Sequence, residues 1–254
     1  MNSKKTILGL AFLVCLLGSP LCVSQTYAQQ SNAALTANQE FIDSIKKGDL
    51  AKVREMLKQD PSLIKATHKN GASAIQVAVY VRQKPIVDLL LATGVELNIF
   101  EAAATGRLER VRELLKKNPE LIHAYSPDGW TPLHLNFGNL EMAKFLMDSG
   151  ADLNAVSKNK FTATPLQGSV VNKSIEVGRL LLARGANVNP RNDDGGNPLH
   201  EAAGDGQIEF AKLLLDHGAN INAKDDKGNT PLAIALEYKQ TEMAKLLRDK
   251  GAVQ

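Results

Sequence analysis

Cysteine is nearly absent: the 254-residue chain has two, Cys15 and Cys22, both close to its N-terminus. Beyond them the chain can form no disulfide and offers no thiolate as nucleophile or metal ligand. It must hold itself together by packing alone. Aromatic residues make up 5% of the chain, with a single tryptophan, Trp130. Neither sign of charge prevails, since 30 basic residues stand against 27 acidic ones. That balance leaves no electrostatic footprint for nucleic acid or an anionic membrane. No Gly-rich phosphate loop, Cys/His metal set or nucleophile paired with a base is evident in the sequence, so no cofactor or metal is expected.

The N-terminus is set aside first. Lys4 and Lys5 precede an apolar stretch from Ile7 to Leu17, and Gly18, Ser19 and Pro20 then break any helix. The stretch is shorter than the roughly 20 residues a bilayer span requires, and the pattern is that of a secretory signal peptide. Cleavage is expected after Ala28, with Ser24 as the rival position and a retained anchor as the alternative. Neither cysteine follows a small residue, so lipid attachment is not expected. Loss of residues 1–28 removes two lysines and no acid, leaving 28 basic and 27 acidic residues. Residues 29–37 read as a flexible linker and 38–254 as the folded part.

The folded part is periodic. Pro132, Pro165, Pro198 and Pro231 lie 33 residues apart, each followed by leucine: Leu133, Leu166, Leu199 and Leu232. Thr131, Thr164, Asn197 and Thr230 precede them, residues whose side-chain oxygen caps a helix N-terminus. Proline costs nothing at the first helical position, where its missing N–H would be unpaired. In "PLHEAAGDG" a short helix with small residues ends at Gly206 in a left-handed turn. Ile208, Ala211, Leu214 and Leu215 mark one side of a second helix, terminated by Gly218. "ANINAKDDKGN" then reads as an extended hairpin with a turn at Lys227-Gly228. Each unit is therefore helix, turn, helix, hairpin, and buries its apolar face only by stacking on others.

These residues resemble the ankyrin-repeat family, whose signature stands here as "TPLHLN" (131–136), "TPLQGS" (164–169), "NPLHEAA" (197–203) and "TPLAIA" (230–235). The resemblance implies an all-α solenoid of stacked helix pairs with short β-hairpin fingers and a concave face that binds other proteins. About seven units are expected, near 40–67, 68–97, 98–125, 126–158, 159–191, 192–224 and 225–254. It also implies that His134 and His200 are structural, tying one repeat to its neighbour by hydrogen bonds. Thr131, Pro132, Pro165, Pro198 and Pro231 share that scaffold role. A catalytic reading of His200 and Glu201 is disfavoured, because other units carry Leu135, Gly168 and Ile234 at the glutamate position. No second histidine completes a zinc pattern.

Three departures stand out. The first unit has no preceding finger, as suits a cap. The third lacks one in mid-array, because Asn98 leads directly into a helix; an interrupted finger row is expected there. In the fourth, His134 to Gly138 spans four positions where His200 to Gly206 spans six, and the following loop is two longer. That predicts a shortened or frayed helix and a protruding loop around Lys158–Thr162.

The resemblance places variable, partner-contacting positions at finger tips and on the exposed side of each first helix. Trp130, Asp128, Phe137, Lys160 and Phe161, with acidic Asp193, Asp194 and Asp226, are the candidate binding residues. Packing of Trp130 on its neighbouring finger is the alternative for that ring, and the aspartates double as turn formers. The expectation is a monomeric, non-enzymatic, exported adaptor or inhibitor that binds another protein. Its address would be the periplasm, with secretion beyond the cell as the alternative. An envelope scaffold or chaperone-like stabiliser is the second reading, and an enzyme using His200 and Glu201 the third.

Overall fold

The computed structural model describes residues 35–253; the expected leader and cleavage sites lie outside the described residues, as does the linker up to residue 34. Seven helix pairs follow one another. Helix α1 (35–47) pairs with α2 (Leu50–Gln59), and a 3-10 turn at Pro61–Lys65 closes the unit. Then come α3 (Ala74–Tyr80) with α4 (Lys84–Leu91), and α5 (Ile99–Ala104) with α6 (Leu108–Lys117) and a second 3-10 turn, Pro119–His123. A 3-10 turn at His134–Asn136 pairs with α7 (Leu140–Asp148). The last three pairs are α8 (Pro165–Val171) with α9 (Ile175–Ala183), α10 (Pro198–Gly204) with α11 (Ile208–Asp216), and α12 (Pro231–Glu237) with α13 (Thr241–Asp249). First helices pack on first helices of the next unit and second on second, which makes the array a solenoid.

The caps explain where helices start. Asn197 Oδ1 accepts the N–H groups of Leu199 and His200, and Thr230 Oγ1 accepts that of Ala233. The third unit lacks the proline and starts differently: Asn98 Oδ1 accepts from Phe100 and Glu101, and Glu101 returns a bond to the Asn98 N–H. Such a reciprocal capping box satisfies both ends of the exchange. Leu133, Leu166, Leu199 and Leu232 are all fully or almost fully buried, as are Ala102, Ala103, Ala202 and Ala203. The alanines let successive first helices approach closely. In the outer layer the Phe210 ring fills the space where a side chain at Gly178 would stand, since a Cβ there would lie 2.4 Å from it.

Four sequence expectations are refined. Residues 35–37, assigned to the linker, are already helical, and Ala37 packs on the core. The fingers are hydrogen-bonded turns rather than β-hairpins: among the described residues there is one isolated bridge, Thr67 to Ser73, and no strand. Backbone bonds close them at the neck, from His68 to Ala72, Ser126 to Trp130, Ser157 to Ala163, Asn192 to Gly196 and Asp225 to Asn229. These arms are too short to build a ladder. The finger row is not interrupted at the third unit. The 68–72 finger closes directly on the 126–130 finger, and a Cβ at Gly71 would lie 2.6 Å from Pro127 Cβ. Only a residue without a side chain permits that approach. The fourth unit's first helix is reduced to three residues in a 3-10 turn, ended by Phe137 at φ 43° and Gly138 at φ 84°. Buried Asn136 stands where the sixth and seventh units carry Ala202 and Ala235 and the fifth Ser169; its amide donates to Leu133 O and its Oδ1 accepts from Gly138.

Candidate protein-binding face

The two histidines occupy equivalent places. His134 Nε2 donates to Ala163 O at 2.9 Å, and His200 Nε2 to Asn229 O at 3.1 Å, each reaching the finger of the following unit. His134 Nδ1 meets the Thr131 hydroxyl at 2.7 Å and its N–H at 3.3 Å. Burial pushes the His134 imidazole down to about 4, so it is neutral at physiological pH. Burial lowers His200 as well. Gln167, at the same position in the fifth unit, accepts from Thr164 N through Oε1. Its Nε2 is buried next to the buried Glu201 carboxyl, and the Gln167 side chain lies close enough to oppose the upward shift of that carboxyl. Burial, with Asp205 nearby, pushes the Glu201 carboxyl up to about 8. The Glu201 carboxyl is thus apart from the His200 ring nitrogens, which bond to Asn197 and Asn229. Among the described residues no three His, Cys, Asp or Glu side chains gather as a metal set.

The fingers carry a different arrangement. Trp130 stacks on Phe161 with ring centroids 6.1 Å apart and planes 19° apart, and its other neighbour is the His134 ring at 5.4 Å. Trp130 is half-buried, while Phe161 stays 50% exposed. Asn159 shapes this loop by accepting from Ser157 Oγ and Phe161 N and donating to Asp128 O. Thr162 follows at φ 45°, a costly conformation for a β-branched residue. Lys160 Nζ lies 5.1 Å from the Phe161 ring centroid, and Lys158 Nζ lies 4.0 Å from that of Tyr125. The loop expected to protrude is tied to the 126–130 finger by Asn159 and by the Lys158 N–H, which donates to Gly129 O at 2.8 Å.

The other candidates divide. Asp128, expected on the binding surface, is buried: its carboxylate accepts from Tyr80 at 2.7 Å, from Ser126 Oγ at 2.6 Å and from Gln76 at 3.5 Å. A carboxylate enclosed by three donors offers nothing to a partner. Phe137 is half-buried against Tyr80, with centroids 5.9 Å apart. Asp193, Asp194 and Asp226 are exposed on the last two fingers, and Asp226 pairs with Arg191 at 2.7 Å. Nothing in the sequence marks Tyr80, Gln76 and Ser126 as the partners of Asp128. The period of 33 gives no hint of a contact 48 residues apart.

A family model described as "Ankyrin repeats (3 copies)" matches residues 99–192 and 166–254. The chain belongs to the ankyrin-repeat family. Ankyrin repeats are a protein–protein interaction module, generally without catalysis of their own. The curated relatives that the chain matches are varied proteins. Ankyrin repeat and SAM domain-containing protein 6 of Mus musculus is 44% identical over 140 residues, covering 54% of this chain and 13% of that protein. Protein phosphatase 1 regulatory subunit 27 of Mus musculus is 30% identical over 119 residues, covering 46% of this chain and 61% of that one. DNA-binding protein RFXANK of Homo sapiens is 35% identical over 82 residues, 32% of each chain. In each case the match covers less than two thirds of the relative, so what is shared is the ankyrin array.

Proposed function

We propose that this ankyrin-repeat chain is an exported adaptor or inhibitor that takes a folded protein on its fingers and concave face. The observation that carries the reading is the 157–163 finger, where a strained Thr162 and the Asn159 network hold Phe161 half-exposed over Trp130. Strain persists only where surroundings over-determine it, and it clusters at working surfaces. Aromatic anchors are the side chains that dominate interface energies. Export rests on the leader-like residues 1–28 and implies the periplasm or the exterior as the address.

The test is affinity capture from envelope extract with the cleaved protein as bait. A partner held by the wild type is expected to be lost from Trp130→Ala and Phe161→Ala. If every captured protein stays bound to both variants, the finger face is wrong. Cell fractionation with N-terminal sequencing checks the address; full-length protein in the cytosol refutes export.

A further inference from the structure

The finger row changes charge along its length. Lys69, on the 68–72 finger, and Lys158 and Lys160, on the 157–163 finger, are exposed. None of the three forms an ion pair among the described residues. The ammonium groups of Lys158 and Lys160 rest on the rings of Tyr125 and Phe161 instead. These first three fingers carry one carboxylate, Asp128, and it is turned inward and saturated by Tyr80, Ser126 and Gln76. The exposed acids Asp193, Asp194 and Asp226 begin only on the next two fingers.

We infer that the first three fingers form a docking surface for an acidic peptide segment in which carboxylates alternate with apolar side chains. This deepens the protein-binding reading and rests on it. Lys158 and Lys160 stand at alternate positions and keep their charge uncompensated, so they favour carboxylates of matching spacing. Held on ring faces, they are already placed before a partner arrives. Phe161 and Val156, 50% and 48% exposed, supply apolar contact beside them; Val156 O accepts the Tyr125 hydroxyl at 3.1 Å. Nucleic acid fits less well. Asp193 adjoins Phe161 through a backbone contact of 3.5 Å, which sets an acidic residue in the path of a continuing phosphate chain. A peptide segment can end there.

Trp130 is the single tryptophan and stacks on Phe161, so its fluorescence reports on this surface. The probe is a synthetic peptide alternating glutamate with leucine, titrated against the full chain, with the glutamine–leucine counterpart as control. Saturable binding is expected for the glutamate peptide, weakened by salt, and none for the control. K158Q/K160Q is expected to weaken it about tenfold with its melting temperature unchanged, because these lysines are exposed and unpaired, and Phe161→Ala to abolish it. Equal binding of both peptides, or wild-type affinity in K158Q/K160Q, overturns the inference. So does tighter binding of a single-stranded oligonucleotide or anionic vesicles through the same lysines. If the peptide fails while a captured protein still depends on Trp130 and Phe161, the acidic chemistry falls and the protein-binding reading stands.

Discussion

The Tyr80 hydroxyl donates a 2.7 Å hydrogen bond to Asp128, 48 residues further along the chain. Elsewhere the side-chain bond that links one unit to the next finger spans 29 residues, as from His134 to Ala163 and from His200 to Asn229. The longer reach crosses the unit that lacks a finger and ties the end of α3 to the finger beyond it. Burial and the adjacent carboxylate push the Tyr80 phenol well above its ordinary range, so it remains a donor throughout the neutral and alkaline range. Tyr80→Phe leaves the carboxylate one donor short and is expected to cost about 2 kcal/mol, the range for a hydrogen bond to a charged group. Urea unfolding measures it; a loss below a few tenths of a kcal/mol refutes the bracing role.

His134 gives the protein an acid limit. Its folded value of about 4 lies below the ordinary 6.5. Between those values the unfolded chain binds a proton that the folded one refuses, so stability present above pH 6.5 is lost as pH falls toward 4. The loss is on the order of 2–3 kcal/mol. His134→Gln lowers stability at pH 7 and flattens this slope. Denaturant midpoints across pH 4 to 7 test both statements, and parallel profiles for the two proteins contradict them.

At His200 the sequence offers an improvement. Nδ1 stands 2.8 Å from Asn197 Oδ1, while Nε2 faces Asn229 O at 3.1 Å. A neutral imidazole has one N–H and cannot donate to two acceptors. The asparagine oxygen is fixed in place by the N–H groups it caps. In the fourth unit a threonine hydroxyl donates to the same nitrogen at 2.7 Å. Asn197→Thr is therefore expected to stabilise by about 1 kcal/mol at pH 7. A thermal melt shows it as a raised Tm, and a lowered one refutes the argument.

Glu201 acts in the opposite sense to His134. Its folded value of about 8 exceeds the ordinary 4.5. The unfolded chain releases its proton first, so the contribution present below pH 4.5 fades as pH rises toward 8. Glu201→Gln keeps the shape without the charge and is expected to stabilise by about 1–2 kcal/mol at pH 8 and by little at pH 4. A uniform effect at both pH values would mean that the carboxyl is not held neutral.

The regular half of this fold was legible because its signals are local. A capping Thr or Asn and a following Pro-Leu pair each act within one turn, and they recur every 33 residues. The short fourth helix and the longer loop after it were legible as departures from that period. What the sequence hid depends on distant contacts. Asp128 sits in a turn-forming context that suits a solvent-facing residue, and only the approach of Tyr80 and Gln76 from another unit encloses it. The closure of the finger gap was hidden for the same reason, since it depends on Gly71 meeting Pro127. Trp130 was legible as an aromatic on a finger, but its stacking on Phe161 depends on the bend that Thr162 imposes.

Solenoids are chains of joints in series, and a series opens at its weakest joint. The fifth unit has no histidine to clasp the next finger as the fourth and sixth units do: Gln167 stands in that place and bonds back to Thr164 of its own unit. Pulled from its ends, or probed by amide exchange, the array should part between α8 and α10. It would break into an N-terminal piece that keeps the tryptophan-bearing fingers and a C-terminal piece that keeps the acidic ones.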